Sequence, residues 1–114
     1  MLLSYQDETI GIIRNPYERV VSAYFKSLNY KGLDLWVKEN PLQLQTEMYQ
    51  ECDHLVRLEA WEEELKFKNL HPKDTSILSS EEITPMWDRW YTLKTKTLVY
   101  LMYQKDIETY GYRL

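Results

Sequence analysis

The stretch Glu8-Thr9-Ile10-Gly11-Ile12-Ile13-Arg14-Asn15-Pro16-Tyr17-Glu18-Arg19-Val20-Val21-Ser22-Ala23-Tyr24 decides how the rest of the chain is read. Residues 8–14 form a brief, β-branched apolar run that ends at an X-Pro step, the pattern of a short buried strand. Asn15 is a good helix N-cap, and Pro16 at the first helical position gives up only an N–H that had no partner. Tyr17, Val20, Val21, Tyr24, Phe25 and Leu28 then recur at helical spacing and make one apolar face. Asn15, Arg19, Ser22 and Lys26 fall on a polar stripe beside it. The stretch predicts a strand, a tight turn and a helix.

Working outward, Gly32 ends that helix, and residues 33–40 predict a second one with Leu33, Trp36 and Val37 facing inward. Asn40-Pro41 punctuates, and a helical piece is expected over about residues 42–50. Residues 53–59 (D-H-L-V-R-L-E) read as a second strand. Residues 60–70 read as a helix with Glu62, Glu63 and Glu64 in its first turn and Lys66 and Lys68 later, in accord with the helix dipole. Residues 71–80 suggest a polar loop around Pro72, with Ser79 or Ser80 capping a short turn before Pro85. The last element is a long helix over residues 93–110, capped by Thr92 and closed by Gly111. Two strands separated by helices imply an α/β chain with a small parallel sheet and predominantly helical content.

A chain of 114 residues fits a single domain, 1–114, able to bury a real core. Ten tyrosines and four tryptophans within a 44% hydrophobic composition argue against disorder. Fourteen basic against 18 acidic side chains leave a net charge of −4, which gives no footprint for general nucleic-acid binding. Any bound anion must therefore be held by a local site. The one cysteine, Cys52, excludes an intrachain disulfide and a thiolate zinc cluster, and reads as a half-buried small residue. No apolar run approaches the ~18 residues of a membrane span, and no signal-peptide pattern is present. A reducing, cytoplasmic location with no membrane partner is the expectation.

Chemistry concentrates at the strand-to-helix turn. A helix N-terminus offers unpaired N–H groups and partial positive charge to an anion. Arg14, at the carboxyl end of the strand where ligands of open α/β sheets bind, adds a planar fork of donors suited to phosphate. Ser22 on the polar stripe adds a hydroxyl. The residues alone leave an alternative open, in which Arg14 and Arg19 simply pair with carboxylates.

The run R-N-P-Y-E-R-V-V-S-A-Y-F resembles the 3′-phosphate-binding motif of sulfotransferases that use 3′-phosphoadenosine 5′-phosphosulfate (PAPS). Downstream, D-H-L-V-R-L-E followed by W-E-E-E-L is similar to that family's second strand and acidic helix. Tyr91-Thr92, Val99, Tyr103, Asp106 and Tyr110-Gly111-Tyr112 resemble its tyrosine-rich closing segment, so the likeness runs roughly from residue 10 to residue 114. The resemblance, of carbohydrate-sulfotransferase type, implies a truncated P-loop-like three-layer fold and an acceptor that is a carbohydrate or another hydroxyl group. It implies that Arg14 and Ser22 hold the 3′-phosphate of PAPS or of 3′-phosphoadenosine 5′-phosphate (PAP), with no metal. Arg19 is expected to support the turn. Arg57 and Glu59, on one face of the second strand by period-two alternation, are expected to form a structural ion pair.

One departure from the family pattern matters most. Family members begin with a strand and a glycine- and lysine-containing loop that cradles the 5′-phosphosulfate. Met1-Leu2-Leu3-Ser4-Tyr5-Gln6-Asp7 holds neither residue type, and Gly11, Gly32 and Gly111 are isolated. No catalytic base is identifiable: His54 and His71 both read as solvated or structural. Three expectations follow: an enzyme completed by a second chain, a nucleotide-binding or interaction module without turnover, or a self-associating remnant. Unpaired strand edges and apolar helix faces need covering, which predicts a homo-oligomer, most simply a two-fold dimer. Trp87, Trp90 and Tyr91 around Pro85 read as packing for the closing helix against the sheet, or alternatively as a protein-contact surface.

Overall fold

The β-branched run of the opening stretch becomes the central strand of a three-stranded sheet. In the computed structural model, which describes residues 1–28, 31–81 and 83–113, the order is β1 (Leu2–Tyr5), β2 (Glu8–Ile13), β3 (His54–Arg57). β2 pairs in parallel with β3, Ile10 opposite His54 and Ile13 opposite Arg57. It pairs antiparallel with β1, Leu3 opposite Ile10. The expected parallel pair is present, but the sheet is mixed and not purely parallel. The cause is a two-residue hairpin at Gln6 and Asp7, whose φ values of 50° and 64° are the left-handed pair that matches strand twist. β2 is approached closely at Gly11: a Cβ there would sit 2.9 Å from Tyr49 Cγ and 3.1 Å from Cys52 Sγ.

Among the described residues six α-helices accompany the sheet, so the chain is α/β and mostly helical. They are α1 (Pro16–Ser27), α2 (Leu33–Glu39), α3 (Gln45–Met48), α4 (Trp61–Phe67), α5 (Ser76–Ser80) and α6 (Leu93–Tyr110). The chain divides into two compact units, Met1–Arg14 with Met48–Glu82, and Asn15–Glu47 with Ile83–Leu114. The first holds the sheet, α4 and α5 over a core that includes Ile10, Ile12, Ile13, Val56, Leu65 and Leu78. The second packs α1, α2 and α6 through Tyr17, Val20, Val21, Tyr24, Trp36, Val99, Tyr103 and Ile107. Leu33, Trp36 and Val37 face inward as their spacing predicts.

Several boundaries moved, each for a local reason. β3 ends at Arg57, and Leu58–Ala60 form a 3-10 turn in which Leu58 is buried. Glu59 therefore lies outside the strand, and the expected shared strand face with Arg57 does not exist. α4 stops at Phe67 because Asn69 takes a left-handed conformation and Leu70 N–H donates back to the Leu65 carbonyl at 2.9 Å, a Schellman closure. α5 replaces the expected polar loop: Asp74 Oδ1 accepts from Ser76 N–H at 2.9 Å, and Leu78 is buried. The helical piece expected over residues 42–50 contracts to α3. α6 has the predicted bounds, with Thr92 Oγ1 accepting from Thr95 N–H at 3.2 Å and Gly111 at φ 71°, and it kinks at Tyr103.

Candidate functional site

The strand-to-helix turn has the local chemistry its residue types demand. Asn15 adopts an extended conformation, and its Oδ1 accepts from Tyr17 N–H at 2.9 Å. Its carbonyl accepts the first helical bond, from Arg19 N–H at 2.8 Å, and Pro16 opens α1. Arg14 is the last residue of the first unit, immediately past the carboxyl end of β2. Its guanidinium donates from Nη1 to Glu81 Oε1 at 2.8 Å, with side-chain exposures of 13% and 23%. The carboxylate pairing left open by the sequence is thus present at Arg14, through a partner 67 residues away.

Ser22 belongs to the second unit, buried within α1. The polar stripe that carries it is not an open solvent face. Arg19 donates to the Gln43 carbonyl at 2.7 Å, ahead of α3 and away from the turn it was expected to support, and Glu18 is buried and accepts from Thr84 N–H at 3.1 Å. His54 pairs with Glu8 across the parallel strands, and His71 lies 2.9 Å from Asn69 Oδ1 and edge-on to Tyr5. Cys52 is half-buried. Among the described residues no group of three His, Cys, Asp or Glu side chains is placed to hold a metal ion. Among the described residues no helix is long and apolar enough to cross a membrane.

Within the second unit, the aromatic residues around Pro85 pack on α1. Trp87 stacks on Tyr17, with ring centroids 6.5 Å apart and planes within 9°. Tyr91 meets Tyr17 edge-on and donates from its hydroxyl to the Tyr17 carbonyl at 2.7 Å. Trp90 contacts Phe25 edge-on at 4.9 Å yet stays half exposed. Burial pushes the Tyr17 phenol above its ordinary pKa, and likewise that of Tyr91, where nearby phenols add to the effect. Burial also raises Tyr103, against the opposing pull of its bond to Leu42.

A second set of polar contacts ties α6 to residues 42–46. Asp106 is fully buried and accepts from Gln45 N–H at 2.7 Å and Thr46 N–H at 2.9 Å. Tyr103 Oη accepts from Leu42 N–H at 2.8 Å. These are structural staples, and the sequence pointed to Tyr103 and Asp106 only as part of the closing segment that resembles the family's. An open groove of about 990 Å³ in the first unit runs between β1 and residues 71–77, and Arg14 is not among its lining residues. No family model, no curated protein and no solved structure matches this chain.

Proposed function

We propose that this chain is a sulfotransferase-family protein that keeps the 3′-phosphate half of a PAPS or PAP site and transfers no sulfate by itself. The observation that carries the reading is the junction at residues 13–17. There β2, paired in parallel with β3, brings Arg14 to its carboxyl end, and α1 begins two residues later on an Asn15 cap. A guanidinium at that position offers paired N–H donors to a phosphate, and ligands of open α/β sheets gather at this end of the strands. The likeness of R-N-P-Y-E-R-V-V-S to the family motif assigns the 3′-phosphate to Arg14 and Ser22. The P-loop-like three-layer fold and the carbohydrate-sulfotransferase kinship belong to the same proposal.

Sulfuryl transfer needs charge stabilisation on the moving group and a base at the acceptor hydroxyl. Residues 1–9 hold neither glycine nor lysine, and neither His54 nor His71 is identified as a base for the reaction. The expected behaviour is nucleotide binding without turnover. Calorimetric titration with PAP tests it: heat that disappears in Arg14→Ala and Ser22→Ala supports the site. No heat up to millimolar PAP rejects it. A transfer assay with PAPS and a sugar acceptor then checks that the chain alone is inactive.

A second reading, a self-associating interaction module without nucleotide, has its own support. Leu2, Phe67 and Ile77 of the first unit are exposed, as are Leu28, Met86, Trp90, Leu93 and Leu101 of the second. Apolar side chains in such number favour a covering partner, most simply a second copy. A monomer by analytical ultracentrifugation at micromolar concentration would sink it.

A further inference from the structure

We infer that Glu81 is an internal competitor for the anion fork of Arg14 and sets the affinity of the site for any phosphate. The inference rests on the 3′-phosphate reading above and adds to it a residue that no part of the motif contains. A carboxylate and a phosphate monoester ask the same thing of a guanidinium, N–H donors arranged in a plane. Glu81 Oε1 already takes one of them, Nη1, at 2.8 Å. Both side chains are mostly withdrawn from water, so the contact is held and not averaged away by solvent.

Glu81 is also delivered by structure and not by chance. It directly follows α5, and its N–H donates to the Leu78 carbonyl at 3.3 Å. Leu78 is buried in the core of the first unit and anchors that helix. The carboxylate therefore reaches Arg14 from a fixed point, and a phosphate oxygen can use that N–H of Nη1 only after Glu81 has released it. A site that is competent for only part of the time binds more weakly by that fraction.

Pure competition has a signature. Removing the carboxylate raises the affinity for every anion that uses Arg14 by one common factor, here on the order of five- to tenfold for a partly buried pair. A residue that touched the nucleotide itself would instead change PAP binding and leave inorganic phosphate alone.

The test compares wild type, Glu81→Gln and Glu81→Asp, each titrated with PAP and with inorganic phosphate, and near-UV circular dichroism reports folding. Glu81→Asp keeps the charge but is one methylene shorter, so it guards against a folding defect peculiar to the amide. The expected result is, within each variant, tighter binding of both ligands by the same factor, larger for Glu81→Gln than for Glu81→Asp, and abolished when Arg14→Ala is added. Arg14-dependent binding that is unchanged in folded Glu81 variants overturns the inference and leaves the 3′-phosphate reading standing. A gain confined to PAP also overturns it. No binding to wild type or to either variant overturns the reading as well.

Discussion

Replacing Asp106 by alanine should destabilise the second unit severely. Its carboxylate is fully buried and is the acceptor for Gln45 N–H at 2.7 Å and Thr46 N–H at 2.9 Å. The Gln45 bond is wholly buried, so its donor would lose its partner without gaining water, at a cost of about 1–3 kcal/mol. The Thr46 bond is partly buried and should fall at the lower end of that range. Relief of the desolvated charge offsets part of the loss, leaving a net of about 2 kcal/mol. With 114 residues, unfolding entropy at the midpoint is about 240 cal/mol/K, so Tm should fall by about 8 °C. Asp106→Asn keeps one acceptor oxygen and should lose roughly half as much. Urea unfolding and differential scanning calorimetry on the three proteins measure it. Asp106→Asn as stable as wild type, or Asp106→Ala within about 0.5 kcal/mol of it, would refute the assignment of the carboxylate as the staple of residues 45–46.

Gly11→Ala should cost about 1–3 kcal/mol, because its new methyl would meet Tyr49, Cys52 and Leu55 at 2.9–3.1 Å; chemical denaturation at the same pH is the check. Asn15→Ala should cost about 1 kcal/mol by removing the acceptor for Tyr17 N–H, and Asn15→Asp should restore it. Alkali gives a third prediction. Tyr17, Tyr91 and Tyr103 are held neutral above the ordinary phenol value of 10.0, so the folded state keeps protons that the unfolded state releases. Their contribution is complete below about pH 10 and is lost as pH rises beyond it. Tyr91→Phe should make the fall in stability above pH 10 shallower, and an unchanged slope would remove Tyr91 from the account.

Local rules carried a long way in this chain. The Asn15 cap, Pro16, the buried apolar residues Tyr17, Val20, Val21 and Tyr24 (though not Leu28, which is exposed), and both ends of α6 follow from spacing and capping chemistry read within a single helix. β1 did not, because its hairpin turn uses Gln6 and Asp7 in left-handed conformations without the glycine that ordinarily marks such a turn. α5 did not, because S-I-L-S-S has no apolar period and is held by one buried leucine. The cut of β3 at Arg57 was equally invisible, since an alternating D-H-L-V-R-L-E fits a longer strand. Leu58 is buried where the alternation would bury it, yet it starts a 3-10 turn.

Residue types in order determined the strand, turn and helix around Arg14, and with them the resemblance on which the proposed 3′-phosphate site rests. Helix capping and periodicity act over a few residues, so they are written in adjacent letters. What meets Arg14 was decided only by the tertiary structure: Glu81 is 67 positions away, and no local rule relates the two. The same holds for Asp106, whose carboxylate serves backbone donors 60 and 61 residues upstream. Charge pairing and burial act through space, and the chain must fold before they have partners.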